Sequence, residues 1–362
     1  MRKLTERELE DLIRGCAILG TGGGGSPRRG LALLKDELAQ GREIALLSLE
    51  ELAEDAWVAS PYMCGSVSPE EEGKEELECL VAFEALEEFL GVKFAAAVAT
   101  EIGGGNTAVA MAVAARKGIP ILDADPAGRS VPELSHTTFA LKGIGIAPFA
   151  VATRKGDVIV VKEVGSEERA EAIARDIAIM SDNRAGVADH PVRGKDARAA
   201  LIPGTLTLAL RIGEAVRLAR EKGSDPLIAA ARAGNGHQLF RGRVQRYRWE
   251  IEGGFTVGEA EIAGTGEYTG HTYRVWFKNE HIISWFDGEP DVMAPDLICI
   301  LDPATGEAIT NPNLREWQEV GVVGYPAPEL WRTSQGIALL GPRHFGFDLD
   351  FRPLEENPRL SQ

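Results

Sequence analysis

The sequence predicts an α/β protein with an N-terminal, largely parallel sheet with flanking helices and a C-terminal domain of helices and mainly antiparallel β structure. Three observations carry this. Between residues 43 and 163, short apolar runs such as Lys93–Thr100 and Ile121–Asp123 alternate with helical stretches, the pattern of parallel βαβ units. From Gly236 to about Thr310 the pattern becomes strict apolar/polar alternation between glycine turns, as in Gly242-Arg243-Val244-Gln245 and Tyr273-Arg274-Val275-Trp276-Phe277, which is antiparallel β patterning. Finally, 362 residues exceed one ordinary hydrophobic core. Two domains follow, residues 1–165 carrying the glycine-rich and acidic motifs and residues 166–362 beginning with a helical lead-in.

The elements follow in order. Thr5 and Glu8 form a T-x-x-E capping box, and Leu9, Leu12, Ile13 and Cys16 keep helical spacing behind it. That helix runs into Gly20-Thr21-Gly22-Gly23-Gly24-Gly25. Ser26-Pro27 then reads as N-cap and first residue of a second helix reaching Gln40. Strands are expected at Glu43–Leu49 and Ala56–Ala59, with an acidic helix in the stretch Ser68–Leu90. Lys93–Thr100 is a buried strand, Glu101–Asn106 a turn, and Thr107–Lys117 a helix of small residues that Gly118 and Pro120 end. Asp157–Glu163 is a strand, Ser166 caps a helix, and Pro203–Lys222 and Asp225–Ala233 are two more helices.

The composition is that of a folded protein, with 44% hydrophobic and 26% charged residues. A net charge of -16 argues against nucleic acid and anionic membranes as partners. The four cysteines, Cys16, Cys64, Cys79 and Cys299, include no C-x-x-C pair, which excludes a zinc ribbon and a disulfide-stapled secreted fold. Met1-Arg2-Lys3 leads into a polar run, and no stretch is apolar enough for a signal or a membrane span, so a cytoplasmic location is expected.

Three motifs are candidates for chemistry. In the first, the bare backbone of Gly22, Gly23, Gly24 and Gly25 permits close approach of a ligand, and the helix start at Ser26 favours negative charge. It matches G-x-G-x-x-G, but an amphipathic helix precedes it where a dinucleotide fold needs a strand. A tight connector between two helices is the plain alternative. In the second, Glu101-Ile102-Gly103-Gly104-Gly105-Asn106 leaves the carboxyl end of a strand, where open α/β sheets bind ligands. Glu101 is then a carboxylate at a cleft mouth, and Asn106 offers a donor and an acceptor. In the third, Asp123-Ala124-Asp125-Pro126-Ala127-Gly128-Arg129 also follows a strand, with Glu133 and His136 one turn apart beyond it. Arg129 brings a planar fork for a carbonyl or carboxylate, or an ion pair that ties the loop together. Cys64 reads as a nucleophile, a metal ligand or an inert buried thiol, and Cys16 as core. The other histidines, His190, His237, His271, His281 and His344, show no metal-ligand spacing, and neither a G-x-S-x-G elbow nor a P-loop is present.

Taken in order, Ala17–Pro27, Glu101–Asn106, Asp123-Ala124-Asp125 with Gly128-Arg129 and Pro132-Glu133, Asp302-Pro303-Ala304-Thr305-Gly306, and Gly341–Asp348 resemble the S-methyl-thiohydantoin desulfurase family over nearly the whole chain. The resemblance implies a hydrolase that converts S-methyl-thiohydantoin to hydantoin and methanethiol. It also implies an association with hydantoinase or oxoprolinase-type proteins, beside which family members are often encoded.

On that implication, Glu101 or Asp123 is the general base. Arg129 and the N–H groups of Gly22–Gly25 hold a developing negative charge, and Asn106 orients a ring nitrogen. His136 or Glu133 is the acid, and Ser26, Asp125 and Glu133 complete the substrate site. No motif requires a cofactor. A divalent metal such as zinc is the alternative to a plain base, with Asp123, Asp125, His136 and Cys64 as candidate ligands. These roles require the three bends to meet in one pocket. A homo-oligomer is expected, the small-residue helix Ala108–Ala115 being suited to pack on the sheet or on a second copy. Two other functions fit the sequence: an accessory subunit of a hydantoinase-like complex, docking through Trp276, Trp285, Trp317 or Trp331, and a nucleotide- or phosphate-using enzyme built on the glycine loop. Because the loop lacks its preceding strand, ATP and NAD are expected to leave the melting temperature unchanged. A saturable rise of several degrees with either would favour the nucleotide enzyme.

Overall fold

The structure, a computed structural model, describes residues 1–65 and 77–360. The chain forms two compact units. The first contains residues 1–9, 28–127 and 133–205, and the second residues 10–27, 128–132 and 206–362.

The first unit is built on an eight-stranded mixed sheet. Its strands are β1 (Arg2–Lys3), β2 (Ala45–Leu47), β3 (Trp57–Gly65), β4 (Phe94–Ala97), β5 (Ile121–Leu122), β7 (Phe149–Thr153), β8 (Val158–Val161) and β9 (Arg184–Arg193), in the order β1-β2-β5-β4-β3-β9-β7-β8. A two-stranded pair, β6 (Ala124–Asp125) with β10 (Ile202–Pro203), stands beside it. The strands β2, β5, β4 and β3 run parallel, while β9, β7 and β8 add antiparallel neighbours on one side and β1 on the other. The α/β reading with a parallel core therefore holds.

The parallel strands are short and apolar because they are covered on both faces. Val58, Ala96, Val98, Leu122, Ala124 and Phe139 form one buried cluster, and Tyr62, Phe149, Val151, Val187, Ala174 and Ile177 another. The helix Asn106–Lys117 is buried from Thr107 to Ala115, and Gly118 ends it in the left-handed conformation. Five of its nine buried positions are alanines, 108, 110, 112, 114 and 115, so a flat, close-packed surface is what this helix contributes. The carboxylate of Glu37, fully buried, is bracketed by Arg42 and Arg116.

Several local expectations are met. Thr5 N donates to Glu8 Oε2 at 2.8 Å and Glu8 N to Thr5 Oγ1 at 3.3 Å, a reciprocal box in front of the helix Glu6–Leu19. The second helix starts at Pro27. Ser166 caps Glu167–Met180, and Asp225 caps Pro226–Ala233 through Leu227 N and Ile228 N. Other expectations change. The strand expected at Ala56–Ala59 extends to Gly65, and the helix expected within Ser68–Leu90 begins at Glu78; residues 66–76 lie outside the described residues.

The strand β9 was not anticipated: Asp189, His190 and Pro191 break the apolar alternation that marks a strand. It is held in the sheet by β3 and β7, with the helix Glu167–Met180 packed over them. For this reason the first compact unit includes residues up to Thr205.

The second unit is the antiparallel part: β11 (His237–Glu252), β12 (Phe255–Gly264), β13 (Thr272–Lys278), β14 (Glu280–Phe286), β15 (Glu289–Met293), β16 (Leu297–Leu301) and β17 (Glu319–Tyr325), in the order β15-β14-β13-β12-β11-β17-β16. The period-two pattern puts Leu239, Val244, Ile262, Tyr273, Val275 and Val322 on one buried face. The sheet rolls, since β14 reaches β16 from the far side: the Nδ1 of His281 lies 2.9 Å from the carbonyl of Ile298. Of the four tryptophans considered for docking, Trp331 is fully buried, Trp285 nearly so, and Trp317 is 70% exposed.

Gly186 of β9 offers a test of the first unit. A Cβ there would lie 1.9 Å from the backbone nitrogen of Cys79, at the start of the helix Glu78–Leu90, where no flexible side chain can yield. Gly186→Ala is expected to lower the urea unfolding midpoint by the equivalent of about 1–3 kcal/mol. An unchanged midpoint would show that this helix does not rest on β9.

Candidate functional site

In the first unit, the turn after β4 is built from its own side chains. Glu101, 7% exposed, receives the Asn106 Nδ2 on Oε1 at 2.7 Å. Thr107 Oγ1 donates to the Glu101 carbonyl at 3.1 Å and accepts from Gly103 N at 3.1 Å. The carboxylate is thus oriented at the start of the helix Asn106–Lys117, whose unpaired N–H groups favour negative charge nearby. The turn packs closely on the neighbouring helix: a Cβ on Gly30 would lie 2.2 Å from the Gly104 carbonyl.

Because β4 and β5 are parallel neighbours, paired at Ala97 and Ile121, the third motif leaves the sheet at the same end as Glu101. Asp123 is fixed through its backbone, with N donating to Leu47 O at 2.8 Å and O accepting from Gly204 N at 2.7 Å, and its side chain is half-buried. Asp125 is fully buried and its Oδ2 accepts from Ala127 N at 2.9 Å, as a turn-forming aspartate does. Thr138 closes the turn by donating from N and Oγ1 to Pro126 O at 2.7 and 3.0 Å. Glu133 and His136 meet as their spacing predicts, with Oε2 3.7 Å from Nε2, and His136 is fully buried. The pair offers two of the donors that a divalent ion needs. Among the described residues, Asp123, Asp125, His136 and Cys64 do not gather as a ligand set. Burial pushes the Cys64 thiol up to about 11, so it is a neutral thiol at ordinary pH and a weak ligand or nucleophile.

The glycine loop belongs to the second unit, and there its close approach is to the protein itself. Thr21, Gly22, Gly24 and Gly25 all have positive φ. A Cβ on Gly23 would lie 1.7 Å from Glu280 Oε1, and one on Gly22 would lie 2.7 Å from His281 Cε1. The loop carbonyls are also taken, Thr21 O by His281 N and Gly22 O by Asn311 N, each at 2.7 Å.

Arg129 completes this arrangement. It is fully buried, and its Nε donates to Ser130 O. One terminal nitrogen reaches Pro295 O and Asp296 O, and the other reaches Thr21 Oγ1 and His281 O, all at 2.8–3.3 Å. These five acceptors match the five N–H groups of a guanidinium. Arg129 thus ties the glycine loop to β14 and to the turn before β16. His281 is kept neutral, pushed down to about 4 by burial and by the nearby guanidinium, with Nδ1–H directed at the Ile298 carbonyl.

Sequence reasoning also passed over a polar cluster in the first unit. Asp189 accepts the Tyr62 hydroxyl on Oδ2 and lies against His190 Nδ1 with Oδ1, both at 2.9 Å. The signal was the adjacent Asp-His pair, which a search for spaced histidine ligands does not register.

Fold and site together define a two-unit, mixed α/β protein with a carboxylate-rich edge on its parallel core. The chain belongs to the S-Me-THD-like family, that of the S-methyl-thiohydantoin desulfurases: the family's N-terminal domain matches residues 7–163 and its C-terminal domain residues 165–354. No curated protein matches the chain. Among solved structures, a crystal structure of a protein from Chromobacterium violaceum, a structural genomics target, is similar at a TM-score of 0.78 and 21% identity, covering 98% of this chain and 100% of that one. That likeness is one of fold. Among the described residues no helix is long and apolar enough to cross a membrane.

Arg129→Lys keeps the charge but loses the fork, leaving several buried carbonyls without donors. It is expected to destabilise the protein by about 2–4 kcal/mol, read from urea unfolding. A fully stable variant would mean that the clamp is dispensable.

Proposed function

We propose that this chain is a hydrolase acting on a small cyclic amidine-like ring, S-methyl-thiohydantoin or a close relative, and releasing methanethiol and a hydantoin. Membership of the S-Me-THD-like family supports the ring class. The observation that carries the reading further is the carboxylate of Glu101, oriented by Asn106 at the carboxyl end of β4, with Asp123 leaving the same end of the adjacent β5. Open α/β sheets bind their ligands outside such strand ends.

In this reading Glu101 accepts a ring N–H, and Asn106 fixes its rotamer and faces the ring's carbonyl. Asp123 supplies the second negative charge, which matches the positive charge an amidine acquires on protonation. Glu133 and His136 stand by to donate a proton to the departing sulfur. The same two residues would hold a divalent metal, which when bound would lower the pKa of a water. The active assembly is a homo-oligomer in the cytoplasm, in association with a hydantoinase-type protein.

Glu101→Gln and Asp123→Asn are each expected to fold, by circular dichroism, and to lower kcat/KM for thiol release from S-methyl-thiohydantoin by about 10- to 100-fold, the loss expected for a charged hydrogen bond. Undiminished turnover in both variants would remove this edge as the substrate site.

A further inference from the structure

β9 carries an irregularity at the level where β4 ends. Val58 of β3 faces Val192, but Ser60 faces Asp189, so His190 and Pro191 together stand opposite the single residue Ala59. Ala59 is in turn the partner of Ala97, the last residue of β4. This is a β-bulge, a device that re-aims side chains and is common beside active sites. It places His190 at φ 43°, a region uncommon for residues other than glycine, though one that asparagine, aspartate and histidine enter more readily than most.

The bulge brings together two side chains that a regular strand would point to opposite faces. His190 Nδ1 lies 2.9 Å from Asp189 Oδ1, and the other carboxylate oxygen accepts the Tyr62 hydroxyl at 2.9 Å. Phe139 stacks on the imidazole at 4.6 Å with the rings 14° apart, and His190 N donates to Ile146 O at 3.3 Å. The imidazole is therefore fixed in position, and a carboxylate on Nδ1 fixes its tautomer as well, with the proton on Nδ1 and the lone pair on Nε2.

Among the described residues that lone pair has no donor. His190 is 3% exposed and its Nε2 has no hydrogen-bond partner among the described residues. The same is true of two atoms on the elements packed against it: Ser60 Oγ, across the bulge and 1% exposed, and Glu167 Oε2, whose other oxygen accepts from Ile146 N at 3.0 Å. Buried polar atoms are normally satisfied, so three unsatisfied atoms around one bulge call for a ligand with O–H groups to give.

We propose that His190, aligned by Asp189 and Tyr62, is the general base of this chain, its Nε2 accepting a proton from a water that attacks the substrate. The substrate rests on the hydrolytic reading above; the acceptor chemistry of the site does not. In the step, the water oxygen bonds to the ring carbon bearing the methylthio group and one water proton passes to His190 Nε2. The electron pair of the C=N bond moves to the ring nitrogen, which takes a proton from solvent. The hydroxyl on the tetrahedral carbon then loses its proton to solvent as the C=O bond forms, the C–S bond breaks, the sulfur leaves with the pair and takes a proton from the Glu133–His136 pair, and solvent takes the proton from His190 and returns one to that pair. The sum is ring plus water giving hydantoin plus methanethiol.

Asparagine and glycine both accept the left-handed backbone, so His190→Asn and His190→Gly remove the base and keep the bulge. With the full chain and S-methyl-thiohydantoin, kcat is expected to fall at least about a hundredfold in both, with KM little changed. Added imidazole should restore part of the rate in His190→Gly, which a merely structural histidine would not permit. Wild-type kcat in the folded variants, or a loss that imidazole leaves untouched in both kcat and KM, overturns the proposal. A second readout needs no turnover: ¹⁵N NMR of the full chain should show His190 protonated at Nδ1 and bare at Nε2, with that preference lost in Asp189→Asn. A proton on Nε2 instead overturns the base. If the wild-type chain releases no thiol, the hydrolytic reading falls, and the tautomer decides the site.

Discussion

The antiparallel pairing of β9 on β3 is the constraint on which the first unit depends. A parallel core of short strands needs cover on both faces and a neighbour at each edge. β9 supplies the edge of β3 and, by also pairing with β7, carries the sheet outward to β8. Its tight side is Gly186 against the helix Glu78–Leu90, and its loose side is the bulge at His190. A single strand therefore both completes the sheet and breaks its regularity at the end where β4 gives way to the Glu101 turn.

The sequence made much of this legible, for identifiable reasons. The capping boxes and caps at Thr5, Ser166 and Asp225 are local chemistry, decided by a side chain and an N–H two or three residues away. The βα unit from Phe94 to Lys117 was readable because a strand covered on both faces leaves an uninterrupted apolar run, and Gly118 marks the helix end. The antiparallel strands of the second unit were readable from period-two alternation. β9 was not, because its identity is set by partners far away in sequence: Tyr62 and Ser60 pair with residues more than a hundred positions on.

The candidate site divides along the same line. Glu101 with Asn106, and Glu133 with His136, are close in sequence, and their meeting followed from spacing. For Arg129 and the glycine loop the sequence leaves two readings open, a ligand site and an internal tie, because glycines and an arginine serve either. The partners that take them up, Glu280, His281, Pro295 and Asp296, come from more than 150 residues downstream and could not be paired with them by inspection. The close backbone approach that bare glycines allow is made here to a strand of the same unit.

That clamp has a bearing on how the chain can be divided. The rolled sheet of β11–β17 is encoded in one continuous stretch, yet two of its fittings, residues 10–27 and 128–132, are supplied from far upstream. A fragment beginning at residue 206 would carry the β strands but leave the carbonyls of His281, Pro295 and Asp296 without the guanidinium that serves them. A cut at that strand boundary would thus leave the sheet without its upstream fittings.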